Sequence, residues 1–247
     1  MSGPTVLVVQ HIACEPPATY EDVLVERGMQ VHRVEVDEGD ALPHWDGYRA
    51  VVVMGGPMGA NDDGEHPWLV AEKAFLAGAA ADDVPIWGVC LGAQLLAAVL
   101  GGRVSVGHRP EVGIGSVELT DAAAADPVFG GLPRHLEVFQ WHSDTFELPP
   151  GARVLATSRE YPNQAFSWRR CYGLQFHAEV GPALAAQWAA VPSYVASLEA
   201  VHGPGALPRL LTELRDGADA SEALARQLFN RWLSRVVGAA DRAELIA

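Results

Sequence analysis

The stretch PIWGVCLGAQLLAAVLGG (85–102) decides how this chain is organised. PIWGV reads as a buried strand and LGAQLLAAVLGG as a helix stopped by glycines. Only Cys90 separates them, so the strand passes into the helix through one sharp turn. Toward the N-terminus, YRAVVVM (48–54) is a β-branched strand that runs into GGPMG, and PWLVAEKAFLAGAAA (67–81) is a helix with proline at its start. TVLVVQ (5–10), YEDVLVERG (20–28) and MQVHRVEV (29–36) read as strand, helix and strand. Strand alternating with helix predicts an α/β fold, an open and mostly parallel sheet with helices on both faces.

Past Arg103 the pattern changes. VSV, GIGSVELT, LEVFQW, ARVLATS, QAFSW and CYGLQF read as short strands with turn residues between them, extra antiparallel strands added to the parallel sheet. After Gly181 the chain turns helical. Leu184, Trp188, Val191, Val195 and Leu198 are expected on one face, and Leu224, Leu228, Trp232 and Val236 repeat at steps of four. Both stripes are expected to pack on the main domain, the alternative being a docking face for a partner protein.

The 247 residues fit one large domain, or one domain with an appendage. The formal net charge of −14 argues against binding nucleic acid or an anionic membrane as the main task. Three widely spaced cysteines, Cys14, Cys90 and Cys171, suggest neither a disulfide framework nor a zinc site. MSGPTVLVVQ lacks a basic leader pattern and no apolar run reaches the length of a membrane span, so a cytoplasmic protein is expected.

In open parallel sheets, sites form at the carboxyl ends of the strands. Three stretches fit that position: GGPMG after VVVM, Cys90 after PIWGV, and His177 after CYGLQF. Gly88 and Gly92 flank Cys90 as G-x-C-x-G, the form of a nucleophile elbow. The N-terminus of the following helix favours thiolate there. On this motif alone, a buried structural cysteine explains the pattern equally well. His177 and Glu179 lie two apart in an extended segment, so their side chains share a face. A carboxylate beside an imidazole fixes its tautomer and steadies the imidazolium. Backbone N–H groups of Gly56 and Leu91 are the natural pair to receive an oxyanion. A histidine capping a strand end, and an ordinary glycine turn, remain alternatives for the last two stretches.

In this order and at these separations, GGPMGAND, GVCLGAQLLA, VFQWHSD and LQFHAEV resemble the class I (triad) glutamine amidotransferases. They most resemble the stand-alone proteins related to the amidotransferase half of GMP synthase. The resemblance implies a flavodoxin-like sheet, with residues 1–190 as the amidotransferase domain and 191–247 as a helical extension packed on it. It implies a triad of Cys90, His177 and Glu179, and an oxyanion hole from the GGP loop and the residue after the cysteine. It also implies a glutamine held by Gln94 and by Trp141, His142, Ser143 and Asp144, with neither metal nor cofactor. Asp144 could pair with the substrate's α-ammonium, or it is a solvated turn residue. His11, Trp141 and Arg109 could line the cleft.

One departure stands out. The family pattern reads H-P-E, whereas this chain reads His177-Ala178-Glu179. Alanine can take the same φ at about 0.4–1 kcal/mol in chain entropy, and is expected to set the two side chains more loosely. The chain shows no SGGxDS-type or GxxxxGK(S/T) loop, so activation of an acceptor by ATP would fall to a synthetase partner. The expected reaction is attack of Cys90 on a γ-glutamyl amide. The substrate would be free glutamine, or a γ-glutamyl peptide or polyamine conjugate cleaved by the lone chain. Alternatives are a non-catalytic regulatory module, or an elbow-cysteine peptidase or redox sensor; Cys14 and Cys171 would be resolving thiols there, and are otherwise expected as small buried residues.

Overall fold

The computed structural model describes residues 3–238. Its strands are β1 (Thr5–Gln10), β2 (Gln30–Glu35), β3 (Ala50–Val53), β4 (Ile86–Val89), β5 (Val104–Leu119), β6 (His135–Phe146), β7 (Arg153–Thr157), β8 (Ala165–Trp168) and β9 (Cys171–Leu174). The helices are α1 (Thr19–Glu26), α2 (Trp68–Ala81), α3 (Leu91–Val99), α4 (Asp121–Ala124), α5 (Pro182–Trp188), α6 (Pro192–His202), α7 (Leu207–Asp216) and α8 (Ala218–Trp232). The strands form one sheet in the order β2-β1-β3-β4-β9-β8-β7-β5-β6. The first five run parallel, and β9 onward pair antiparallel.

Apart from the edge strand β2, the parallel strands are largely apolar because both of their faces are covered. Val6, Val8, Val52, Trp87 and Val89 point into one core with Tyr20, Val23 and Leu24 of α1 and Leu228, Phe229 and Trp232 of α8. Their sequence neighbours Leu7, Val9, Val51, Val53 and Ile86 point the other way, onto Leu76 of α2 and Leu95 and Leu96 of α3. This is the period of two expected of a strand. The stretches VSV and GIGSVELT, expected as separate strands, form one 16-residue β5 whose register shifts between Val106 and Glu111. The irregularity absorbs the residues that looked like a turn.

A third apolar cluster lies under α5, α6 and α7, where Phe139 and Trp141 of β6 meet Trp188, Tyr194, Leu198, Leu210 and Leu214. The stripe expected over 184–198 spans two helices rather than one. It breaks at Val191 because Pro192 starts α6 and cannot continue a helix begun before it. Residues 239–247, the end of the expected 191–247 extension, lie outside those described. No helix among the described residues is long and apolar enough to cross a membrane.

Candidate active site

Cys90 occupies the turn between β4 and α3 with φ 50° and ψ −108°, a conformation L-residues rarely adopt. Its neighbours explain how the turn closes. A Cβ on Gly88 would lie 2.7 Å from the Gly92 carbonyl oxygen, and one on Gly92 would overlap the carbonyl oxygen of Val53. Backbone bonds then pin the elbow from both sides, Cys90 N–H to Leu174 O at 2.8 Å and Gly92 N–H to Met54 O at 3.1 Å. Cys90 is 6% exposed and borders a cleft of about 360 Å³.

His177 follows β9 and is held by a bridge to β6. Its N–H donates to Phe139 O at 2.8 Å, and its carbonyl accepts from Phe139 N–H at 3.1 Å. The imidazole Nδ1 meets Glu179 Oε1 at 2.7 Å, with both side chains buried. Burial disfavours the imidazolium, but the Glu179 charge and the Cys90 sulfur outweigh it and raise the His177 pKa well above 6.5. Ala178 contributes what a proline there would lack. Its N–H donates to Glu179 Oε2 at 3.0 Å, so the second carboxylate oxygen is fixed as well. Sequence reasoning had not counted this bond, which acts against the looser setting expected there. Behind this segment, Ser221 of α8 donates to Ala178 O, and Thr19 of α1 donates to Glu179 O.

The GGP loop is braced from beneath by His11. Its Nδ1 faces Gly55 O at 3.0 Å and its Nε2 faces Glu72 Oε1 at 2.9 Å. Both partners are acceptors, which is the pattern of a doubly protonated ring. Burial opposes that charge, and Glu72 more than restores it, so the pKa is raised. His11 is fully buried and supports the loop instead of lining the cleft. Arg109 also lies outside the cleft, with its guanidinium 3.6 Å from Glu160. The N–H groups of Gly56 and Leu91 have no acceptor among the described residues.

Gly56, Cys90, Gln94, Trp141, His142, Ser143, Asp144 and His177 border one cleft, although they come from four separate parts of the chain. Leu91 and Glu179 do not line it, and Glu179 reaches it through the His177 ring. Two residues are occupied in ways that the sequence did not reveal. Gln94 Nε2 donates to Gln175 Oε1 at 3.2 Å and to Asp144 O at 3.4 Å. The His142 ring bridges Asp144 O and Glu111, so its imidazole is turned into the protein. Burial pushes the Asp144 carboxyl up, with Asp62 nearby adding to the effect.

Sequence reasoning missed Gln175, whose Nε2 donates to Cys90 Sγ at 3.7 Å. It stands in LQFH, two residues before His177, and that placement was the available signal. It also missed Glu15, Asp62, Val106, Ser193, Tyr194 and Ser197, which line the cleft as well. Tyr194 donates to Glu15 Oε1, and Trp141 Nε1 donates to Ser197 Oγ at 2.8 Å. Burial raises the Glu15 pKa against the opposing pull of His177 and Tyr194. Among the described residues, no cluster of three or more His, Cys, Asp and Glu side chains could hold a metal.

A model of the family described as Glutamine amidotransferase class-I matches residues 19–187. The chain is 38% identical over 135 residues to a glutamine-hydrolyzing GMP synthase of Thermomicrobium roseum, covering 53% of this chain and 23% of that protein. It is 43% identical over 101 residues to one of the subunits of the glutamine-hydrolyzing GMP synthase of Pyrococcus abyssi, covering 40% of this chain and 52% of the relative. The matches thus span between about a quarter and a half of these curated relatives. Among solved structures, a glutamine amidotransferase from Thermotoga maritima superposes with a TM-score of 0.84 at 31% identity, covering 94% of this chain and 99% of that one. One from Methylobacillus flagellatus gives 0.84 at 28% identity, covering 94% and 95%.

Proposed function

The chain belongs to the class I glutamine amidotransferases, and on that premise we propose that it cleaves a γ-glutamyl amide through Cys90. His177 takes the Sγ proton and the sulfur attacks the amide carbon. The carbonyl oxygen, now an anion, is received by the N–H groups of Gly56 and Leu91. His177 returns the proton to the nitrogen as the C–N bond breaks, releasing ammonia or an amine and leaving a γ-glutamyl thioester. Water then loses a proton to the same imidazole and adds to the thioester. Collapse frees glutamate, and Cys90 regains its proton.

Glu179 holds the imidazole in the orientation and tautomer these transfers need. Asp144 pairs with the α-ammonium of the glutamyl group, and backbone at His142 and Ser143 receives its α-carboxylate. Gln94 acts through its bonds to Asp144 O and Gln175, and Trp141 walls the pocket. The observation that supports this reading best is the single cleft bordered by Cys90, the Glu179-bound imidazole and Gly56, with the N–H groups of Gly56 and Leu91 accepted by none of the described residues.

Free glutamine is the proposed substrate, with ammonia passed to a separate synthetase partner. A GMP synthase relative that is itself one subunit of its enzyme favours this choice. The test is release of glutamate and ammonia by the isolated chain, from glutamine and from γ-glutamyl peptides or polyamine conjugates. An electrophilic glutamine analogue should leave its mass on the Cys90 peptide. A Cys90→Ser variant that kept wild-type turnover on every substrate would remove the proposed nucleophile.

A further inference from the structure

Glu15 has no part in the reaction sequence above, yet it lies against its centre. It stands after β1, on the same edge of the sheet as the other cleft loops, and is 4% exposed. Tyr194 of α6 donates to Oε1, while Oε2 accepts no hydrogen bond from the described residues. That free oxygen faces Gly55 and His177. A Cβ on Gly55 would overlap Oε2 and lie 3.3 Å from His177 Cε1. Gly55 directly precedes Gly56, the proposed oxyanion donor, and Glu15 borders the cleft with Cys90 and His177.

Glu15 borders the cleft, and an oxygen there that no protein group donates to is placed to accept a donor from a bound substrate. The group that arrives there in turnover is the leaving nitrogen. With the carbonyl oxygen toward Gly56 and the carbon on Cys90, the nitrogen must point toward His177 to take its proton. We propose that Glu15 Oε2 accepts an N–H of that nitrogen, first from the amide and then from the departing amine or ammonium. Glu15 is thus a substrate-contacting residue that selects amides over other γ-glutamyl acyl donors. Tyr194 is a positioning residue that aims it. This inference rests on the γ-glutamyl reading of the cleft.

The test compares glutamine with the γ-methyl ester of glutamate, whose leaving oxygen carries no N–H in the ground state. Glu15→Gln should lower kcat/KM for glutamine roughly ten- to hundredfold while the ester stays within about threefold. Tyr194→Phe should show the same selectivity with a smaller loss, and it decides the matter if the first variant does not fold. Equal losses on amide and ester, or no loss on either, would overturn the assignment. A wild-type chain that cleaves the ester and glutamine normally while both variants lose everything equally would make Glu15 structural and leave the γ-glutamyl reading intact. A wild-type chain that releases glutamate from neither substrate would overturn both.

Discussion

Replacing Glu179 by glutamine tests the centre of the proposed mechanism. The carboxylate accepts two hydrogen bonds, from His177 at 2.7 Å and from Ala178 N–H at 3.0 Å. An amide has one acceptor oxygen, so one of these donors would face an NH2 group in a buried position. Losing a hydrogen bond to a charged partner costs about 1.5–3 kcal/mol, which corresponds to roughly ten- to hundredfold in kcat/KM. The pH dependence has a definite sign. The Glu179 charge is the largest influence holding the His177 pKa up, so its removal lowers that pKa. The acid limb of kcat/KM, below which the ring already holds a proton and cannot take the one on Cys90, should move to lower pH. Stability follows the same linkage. His177 has a folded-state pKa above 6.5, so its stabilising contribution is complete below 6.5 and fades as pH rises through the folded value. The gap between the urea midpoints of wild type and Glu179→Gln should therefore be widest below 6.5 and narrow as pH rises through the folded value. Glutaminase rates within twofold of wild type, with superimposable pH profiles, would refute the role given to Glu179.

Gly92→Ala would drive a methyl into the Val53 carbonyl and shift the elbow, and should cost about a hundredfold or more in glutamate release, since displacements near 1 Å have that effect. Iodoacetamide at mildly alkaline pH should label Cys90 and spare Cys171, whose thiol is 1% exposed and is pushed up to about 12 by burial; peptide mass spectrometry showing comparable labelling would contradict this. Trp232→Ala should lower unfolding free energy by about 3–5 kcal/mol in urea, because its fully buried ring packs 5.5 Å from Trp87 and 5.4 Å from Phe229. A loss below about 1 kcal/mol would mean that α8 is an appendage and not part of the core.

The parallel half of the fold was legible because its central strands are buried on both faces and its helices begin or end near proline or glycine. TVLVVQ, VVVM and PIWGV admit little else. The antiparallel half was less so. Gly107 and Pro110 inside β5 look like punctuation, and only the partner strand β6 shows that they fall in an irregular stretch of one long strand. The cleft divides the same way. Cys90, His177 and Gly56 stand at strand ends, where sequence pattern and site coincide. Glu15, Tyr194 and Ser197 do not. Glu15 sits in a loop whose neighbours are proline, alanine and cysteine, and Tyr194 lies in a helix whose apolar spacing suggests only packing. Their meeting depends on α6 folding back across β6, a long-range event with no local signature.

The alanine at position 178 shows why a departure from a family pattern has to be read in three dimensions. Proline stiffens a segment by removing conformations from the unfolded chain, and alanine forfeits about 0.4–1 kcal/mol of that effect. Yet proline also removes an N–H, and here that N–H binds the oxygen of Glu179 that His177 does not use. A bond from a backbone donor to a buried carboxylate is worth about 1.5–3 kcal/mol, at least as much as the entropy forfeited. The segment is held further by Ser221 and Thr19, whose hydroxyls donate to the carbonyls of residues 178 and 179. Rigidity that a proline would supply through the unfolded state is supplied here by contacts in the folded one. One of those contacts comes from α8, so the orientation of the imidazole depends on helices that follow the parallel sheet by more than forty residues.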